Sequence, residues 1–224
     1  MSDSNEGEQQ YRDAFELVKN RPQHFGLMSG WSWYDDPKRL GFLLARYKFV
    51  AKMLIDQPRV LEIGCGDGFG TRVVVQAVGH VTAVDFDPEL IQSAKDTMSE
   101  RWPYECRVHD MMQGPVAERF DAVYSLDVLE HIPPNHEAKF LDHLTKSLAP
   151  HGVAILGMPS LQSQTYASAH SRIGHVNCKD QMDLKRVMQG WFRHVFMFSM
   201  NDEVVHTGFH AMAHYHLCLC CGKK

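Results

Sequence analysis

No apolar run in this sequence approaches the roughly 20 residues that a membrane-spanning helix needs, so no membrane partner is expected. The opening residues, MSDSNEGEQQ, lack the basic start and apolar stretch of a secretory signal, which makes a cytoplasmic location the expectation. Cysteine is scarce: six in 224 residues, irregularly placed, too few for a disulfide scaffold and consistent with reduced thiols. Positive charge is not in excess. Lys plus Arg number 23 against 27 Asp plus Glu, a net charge of -4. A mildly acidic chain has no global field to hold a phosphate backbone, so nucleic acid is not an expected partner. Internal repeats and low-complexity linkers are missing too. Nothing in the composition speaks to oligomeric state.

What is present is an ordinary globular mixture, 44% apolar and 22% charged, of a size that favours one domain. The outlying count is histidine, at 14. His24, His80 and His109 precede residue 111; the other eleven lie between His131 and His216.

Short apolar runs recur at regular intervals: Val60–Ile63, Val81–Val84, Tyr104–Val108, Phe120–Leu126 and Val153–Met158. Each has strand length, and several are rich in Val and Ile. Helical patterns lie between them, over Gly70–Val78, Pro88–Glu100 and His136–Ala149, with another before them at Gly41–Ile55. Asp87 caps and Pro88 opens the second of these. Such alternation predicts a parallel sheet covered on both faces. Residues 1–10 are expected to be a tail, residues 11–19 a short helix, and Trp31–Asp36 irregular. Beyond a polar stretch, Pro159–Asn177, the pattern predicts a helix at Lys179–Gln189 and strands at Val195–Met200 and Met212–Cys221.

The sharpest signal is Val60-Leu61-Glu62-Ile63-Gly64-Cys65-Gly66-Asp67-Gly68-Phe69-Gly70, a buried strand running into a glycine turn and then a helix. Glycines there allow a tight turn and close approach of a ligand to the backbone. A dinucleotide fingerprint, G-x-G-x-x-G, needs its third glycine at position 69, which is Phe69. The spacing instead gives E-x-G-x-G-x-G through Glu62, Gly64, Gly66 and Gly68. Asp85 ends the next strand, where a carboxylate can accept both hydroxyls of a ribose. It does not by itself separate one nucleotide cofactor from another.

The glycine loop resembles motif I of the class I S-adenosylmethionine-dependent methyltransferases. Three further segments resemble the same family: Val108-His109-Asp110-Met111, Phe120 through His131 with its Leu129-Glu130-His131 ending, and Leu144 through Val153. In the last of these His151 replaces the first glycine of the family's turn. The resemblance covers about residues 58–158, more weakly the remainder. It implies a Rossmann-like α/β fold, with a seven-stranded, mostly parallel sheet, its last strand antiparallel and helices on both faces. It implies S-adenosylmethionine as cofactor, lying across the ends of strands one, two and four. Glu62 would organise the loop, Gly64 and Gly66 would admit the methionine part, Asp85 would hold the ribose, and Asp110 with Met111 the adenine. Cys65, Gly68, Phe86, Leu126 and Tyr47 complete the expected cofactor-binding set. Residues 1–57 read as a tail and helical lid, and 58–224 as the cofactor-binding core. In the lid, Arg46 is expected to pair with the methionine carboxylate, and the aromatics to shape the acceptor pocket.

The family acts on many substrates, so fold leaves the acceptor open. Members that methylate an exocyclic base amine use Asn/Asp-Pro-Pro-aromatic after the fourth strand; here the position reads Ser125-Leu126-Asp127-Val128. Members that methylate cytosine C5 use Pro-Cys, and no proline here precedes a cysteine. A small-molecule hydroxyl is therefore the expected acceptor, on a sugar, a quinone-like ring or a natural-product intermediate. Histidine suits the removal of its proton. His131, at the lip of the crevice, His175 before a helix, and His206 between the last two strands are the candidates. Their plainer readings are a helix-terminal hydrogen bond, a helix N-terminal contact and a loop residue.

His214, His216, Cys218 and Cys220 share one face of the final strand. Four ligands along one strand span too far to close a tetrahedron, so packing is expected there and no metal site is read. Two other functions stay open: an NAD-dependent oxidoreductase, and a non-catalytic binding protein of the same fold.

Overall fold

Strand β1 (Arg59–Ile63) sits at the centre of the sheet, paired in parallel with β2 (His80–Asp85) on one side and β4 (Phe120–Leu126) on the other. The computed structural model describes residues 6–19 and 21–224. Outward from β2 lies β3 (Glu105–Val108). Outward from β4 lie β5 (Leu148–Pro159), β8 (Tyr215–Lys223), β6 (Phe192–Asn201) and β7 (Val204–His206). The order is β3-β2-β1-β4-β5-β8-β6-β7. Strand β8 runs antiparallel to both neighbours, as expected of the last strand.

The sheet has eight strands rather than seven. The addition is β7, three residues folded back on β6 as a hairpin. So short a strand carries no period-2 pattern in sequence. The strand expected from Val153 begins at Leu148, its register slipping where Phe120 and Ala122 pair with Leu148 and Val153.

The central strands are apolar along their whole length because helices cover both faces. Val60, Ala122 and Tyr124 pack in one cluster, with α3 (Lys38–Met53) and α4 (Thr71–Val75). Leu61, Ile63 and Val123 pack in the other, with α6 (Glu137–Ser147) and α8 (Gln181–Gln189). Alternation along β1 thus puts Glu62 on the α3–α4 face, a buried carboxylate among apolar neighbours. Helix α5 (Pro88–Asp96) starts as expected at Pro88, with Asp87 Oδ1 accepting from Glu89 N at 2.8 Å.

Three local expectations are corrected. The expected tail is helical from Glu6, as α1 (Glu6–Lys19), with residues 1–5 outside the described set; Gln9–Asp13 and Arg12–Glu8 pairs one turn apart support it. The aromatic segment expected to be irregular belongs to α2 (Leu27–Asp35), whose first turn is capped by groups distant in sequence. The polar stretch after β5 holds two short helical pieces, Gln162–Tyr166 and α7 (Ala169–Gly174). No helix among the described residues is long and apolar enough to cross a membrane.

Candidate active site

The carboxyl ends of β1, β2 and β4 open into a cavity of about 590 Å³, where open parallel sheets place their ligands. The glycine loop forms its floor. Gly64, Gly66 and Gly68 all have positive φ, at 81°, 55° and 69°. A Cβ on Gly68 would lie 1.8 Å from the Tyr104 hydroxyl, whereas one on Gly66 would meet nothing within 4 Å. Gly68 is therefore closed by protein, and Gly66 leaves room on the cavity side.

The loop is tied from beneath. Glu62 Oε1 accepts from the Tyr47 hydroxyl at 2.8 Å, and Oε2 accepts from Thr71 Oγ1 at 2.6 Å. Burial pushes the Glu62 carboxyl up, and these hydrogen bonds pull it back down. Gly66 N donates to Asp85 Oδ2 at 2.9 Å, and Asp87 N to Asp85 Oδ1 at 3.1 Å. Asp85 is thereby fixed at the end of β2 with its carboxylate on the cavity wall. Phe86 beside it is 72% exposed, an aromatic face left open at the rim. Asp110 Oδ1 accepts from Met112 N at 2.7 Å and holds the turn after β3, where Met111 is buried in the wall. Leu126 and Cys65 complete this side; burial pushes the Cys65 thiol up, so it lines the wall as an unreactive thiol.

Of the expected cofactor residues, Tyr47, Gly64, Cys65, Gly66, Asp85, Phe86, Asp110, Met111 and Leu126 line the cavity. Glu62 and Gly68 stand behind the wall as supports. Arg46 is engaged elsewhere. Its guanidinium Nη1 donates to both oxygens of Asp127, at 2.8 and 2.6 Å, and stacks 3.8 Å from the Tyr215 ring centre. Asp127 itself lines the cavity, in a left-handed conformation (φ 57°) at the turn after β4.

The histidine candidates separate. His131 lines the cavity, and His175 packs on it edge to face, with ring centres 5.2 Å apart. The chain after α7 is docked there because Val176 N and Asn177 N both donate to Glu130 O, at 2.9 Å. Burial pulls His175 below the usual histidine range, and His131 adds to the effect. His206 is on edge strand β7, bonded to Asn201 Oδ1 at 2.8 Å, and does not line the cavity.

Sequence reasoning missed Asp67, which is buried and accepts from both Ser29 N and Ser29 Oγ. The only signal for it was a short acid inside the glycine loop, where Asp often caps a neighbouring helix. Glu130 was also missed as a chemical group. It is fully buried, and neither carboxylate oxygen has a hydrogen-bond partner.

Residues 60–152 match the family model described as a methyltransferase domain. The ubiquinone biosynthesis O-methyltransferase of Psychrobacter arcticus is 25% identical over 143 residues, covering 62% of this chain and 55% of that protein. The chain spans about half the length of the curated relatives it matches. The N-methyltransferase NodS of Bradyrhizobium japonicum in complex with S-adenosylhomocysteine superposes with a TM-score of 0.61 at 20% identity, covering 87% of this chain and 92% of that one. A chain of the complex between the Haloferax volcanii Trm112 methyltransferase activator and a methyltransferase gives a TM-score of 0.67 at 15% identity, over 87% and 95%. Residues 60–152 thus match the methyltransferase-domain model, and the chain as a whole has the class I methyltransferase fold.

Proposed function

We propose that this chain transfers a methyl group from S-adenosylmethionine to a hydroxyl of a small molecule. One observation carries the reading: a single cavity is lined by both the Gly66–Asp85 cradle and His131. The cradle fits the cofactor, because Gly66 leaves open space and Asp85 presents a fixed carboxylate. When bound, the cofactor supplies an electrophilic methyl on a sulfonium.

The chain's own residues then divide the work. Asp85 accepts the ribose hydroxyls. Asp110, Met111 and Phe86 bracket the adenine. The Tyr47–Glu62–Thr71 bonds keep the loop in the shape that admits the methionine part. Arg46, paired with Asp127, holds the turn after β4 beside the cavity. Helices α2 and α3, which both line the cavity, form a lid over the core at 58–224, shielding the reacting atoms from water. The acceptor hydroxyl is placed against His131, on whose ring His175 packs. A phenolic, quinone-precursor acceptor is favoured, since the curated relatives carry the name of ubiquinone biosynthesis O-methyltransferase.

Calorimetric titration with S-adenosylhomocysteine tests the reading. Binding is expected, with at least a ten-fold loss in Asp85→Ala, and NAD should leave the melting temperature unmoved. Failure of the wild-type chain to bind S-adenosylhomocysteine, or a rise in melting temperature with NAD alone, overturns it.

A further inference from the structure

Glu130, His131 and His175 each direct one ligand atom into the same space, all within 4.8 Å of one another. Three independent features make this more than a chance cluster. The Glu130 carboxyl is fully buried with both oxygens unpartnered, an arrangement that disfavours the bare carboxylate unless a cation or a proton neutralises it. His131 Nδ1 is bonded to Gly174 O at 2.9 Å, and His175 Nδ1 to Gln164 Oε1 at 2.8 Å. Both acceptors are oxygens, so each ring places its proton on Nδ1 and keeps the Nε2 lone pair free. That is how proteins prepare imidazoles for metal. Finally, the cluster borders the cavity through His131.

We propose that Glu130, His131 and His175 form a binding site for a first-row divalent transition-metal ion. Two imidazoles and one carboxylate suit such an ion better than Mg²⁺ or Ca²⁺, whose preferred ligands are all oxygen. Three protein ligands leave coordination positions open toward the cavity. Asp127 adds negative charge beside the site, although its carboxylate is paired with Arg46.

The chemical consequence rests on the methyl-transfer reading. An ion here changes the task of the two histidines from taking the acceptor's proton to holding the ion that acidifies it. The hydroxyl proton leaves to water, the oxygen–methyl bond forms as the sulfur–methyl bond breaks, and sulfur keeps the electron pair. An acceptor with two adjacent oxygens, a catechol or vicinal diol, would fill two open positions at once.

Titration of Mn²⁺ into the untagged chain, followed by calorimetry and by the electron paramagnetic resonance of free Mn²⁺, tests the site without cofactor. One ion per chain is expected, with at least ten-fold weaker binding in Glu130→Gln and His175→Ala. His131→Ala alters an exposed ring, so the same loss there cannot be a failure to fold. Unchanged Mn²⁺ affinity in these variants, or no saturable ion in the wild-type chain, overturns the site. A chain that holds one Mn²⁺ lost on substitution, yet binds no S-adenosylhomocysteine, upholds the ion site and sinks the methyl-transfer reading alone.

Discussion

Asp67 and Ser29 are joined twice: Asp67 Oδ2 accepts from Ser29 N and from Ser29 Oγ, each at 2.7 Å. Ser29 Oγ also accepts from Gly26 N at 2.9 Å, while Asp67 Oδ1 accepts from Phe69 N at 3.2 Å. A single carboxylate therefore caps α2 and braces the glycine loop.

Replacing Asp67 with Ala should free the first turn of α2 and loosen the loop together. The expected cost is about 1–3 kcal/mol of stability, the range for orphaning buried donors. Urea unfolding measures the stability, and S-adenosylhomocysteine calorimetry should show a weakened complex. A variant as stable and as tight-binding as the wild type would mean that α2 and the loop are independent.

The glycine loop makes a contrast between neighbours. Gly66→Ala should fold, because its Cβ meets no protein atom within 4 Å. Its φ of 55° makes the substitution cost about 1–2 kcal/mol. Its binding of S-adenosylhomocysteine should fall ten-fold or more, the new methyl occupying the ligand's side of the loop. Gly68→Ala should instead damage folding, since its Cβ would lie 1.8 Å from the Tyr104 hydroxyl. Circular dichroism and calorimetry on the two variants separate the effects. Equal damage to folding in both would refute the assignment of Gly66 to the ligand side.

His216 makes stability depend on pH. It is fully buried on β8, neither ring nitrogen has a hydrogen-bond partner, and its ladder partners Met158 and Ser199 carry no charge. Burial pulls its pKa down to about 4, with His210 adding to the shift and Asp180 opposing it. The unfolded chain takes up the proton near pH 6.5, the folded chain only near 4. His216 therefore leaves stability intact above pH 6.5 and drains it as pH falls, levelling off near 4. The loss across that window is about 3 kcal/mol. Urea midpoints of wild type and His216→Leu between pH 7 and 4.5 should show a shallower slope in the variant. Parallel slopes would exclude His216 as the group responsible.

The strands and the glycine loop were legible because their causes are local. A strand buried on both faces reads as an apolar run, and a turn with positive φ reads as glycine. The features that eluded sequence reasoning depend on partners far along the chain. Helix α2 looked irregular because its cap, Asp67, lies 38 positions away. Arg46 showed as a cation near the lid, but its partner Asp127 is 81 positions distant. Strand β7 is too short to show a period. His131 and His175 were each visible as candidates. Their meeting depends on the docking of Val176 and Asn177 on Glu130 O, which no spacing encodes.

Strand β8 follows every other strand in the chain but lies between β5 and β6. During synthesis, the β1–β5 sheet and the β6–β7 hairpin therefore share no ladder until Tyr215–Lys223 has left the ribosome. Until then β5 carries an open, apolar edge able to pair with another chain. The nascent protein thus keeps this strand edge unpaired until β8 arrives, after every cofactor-side strand has been made.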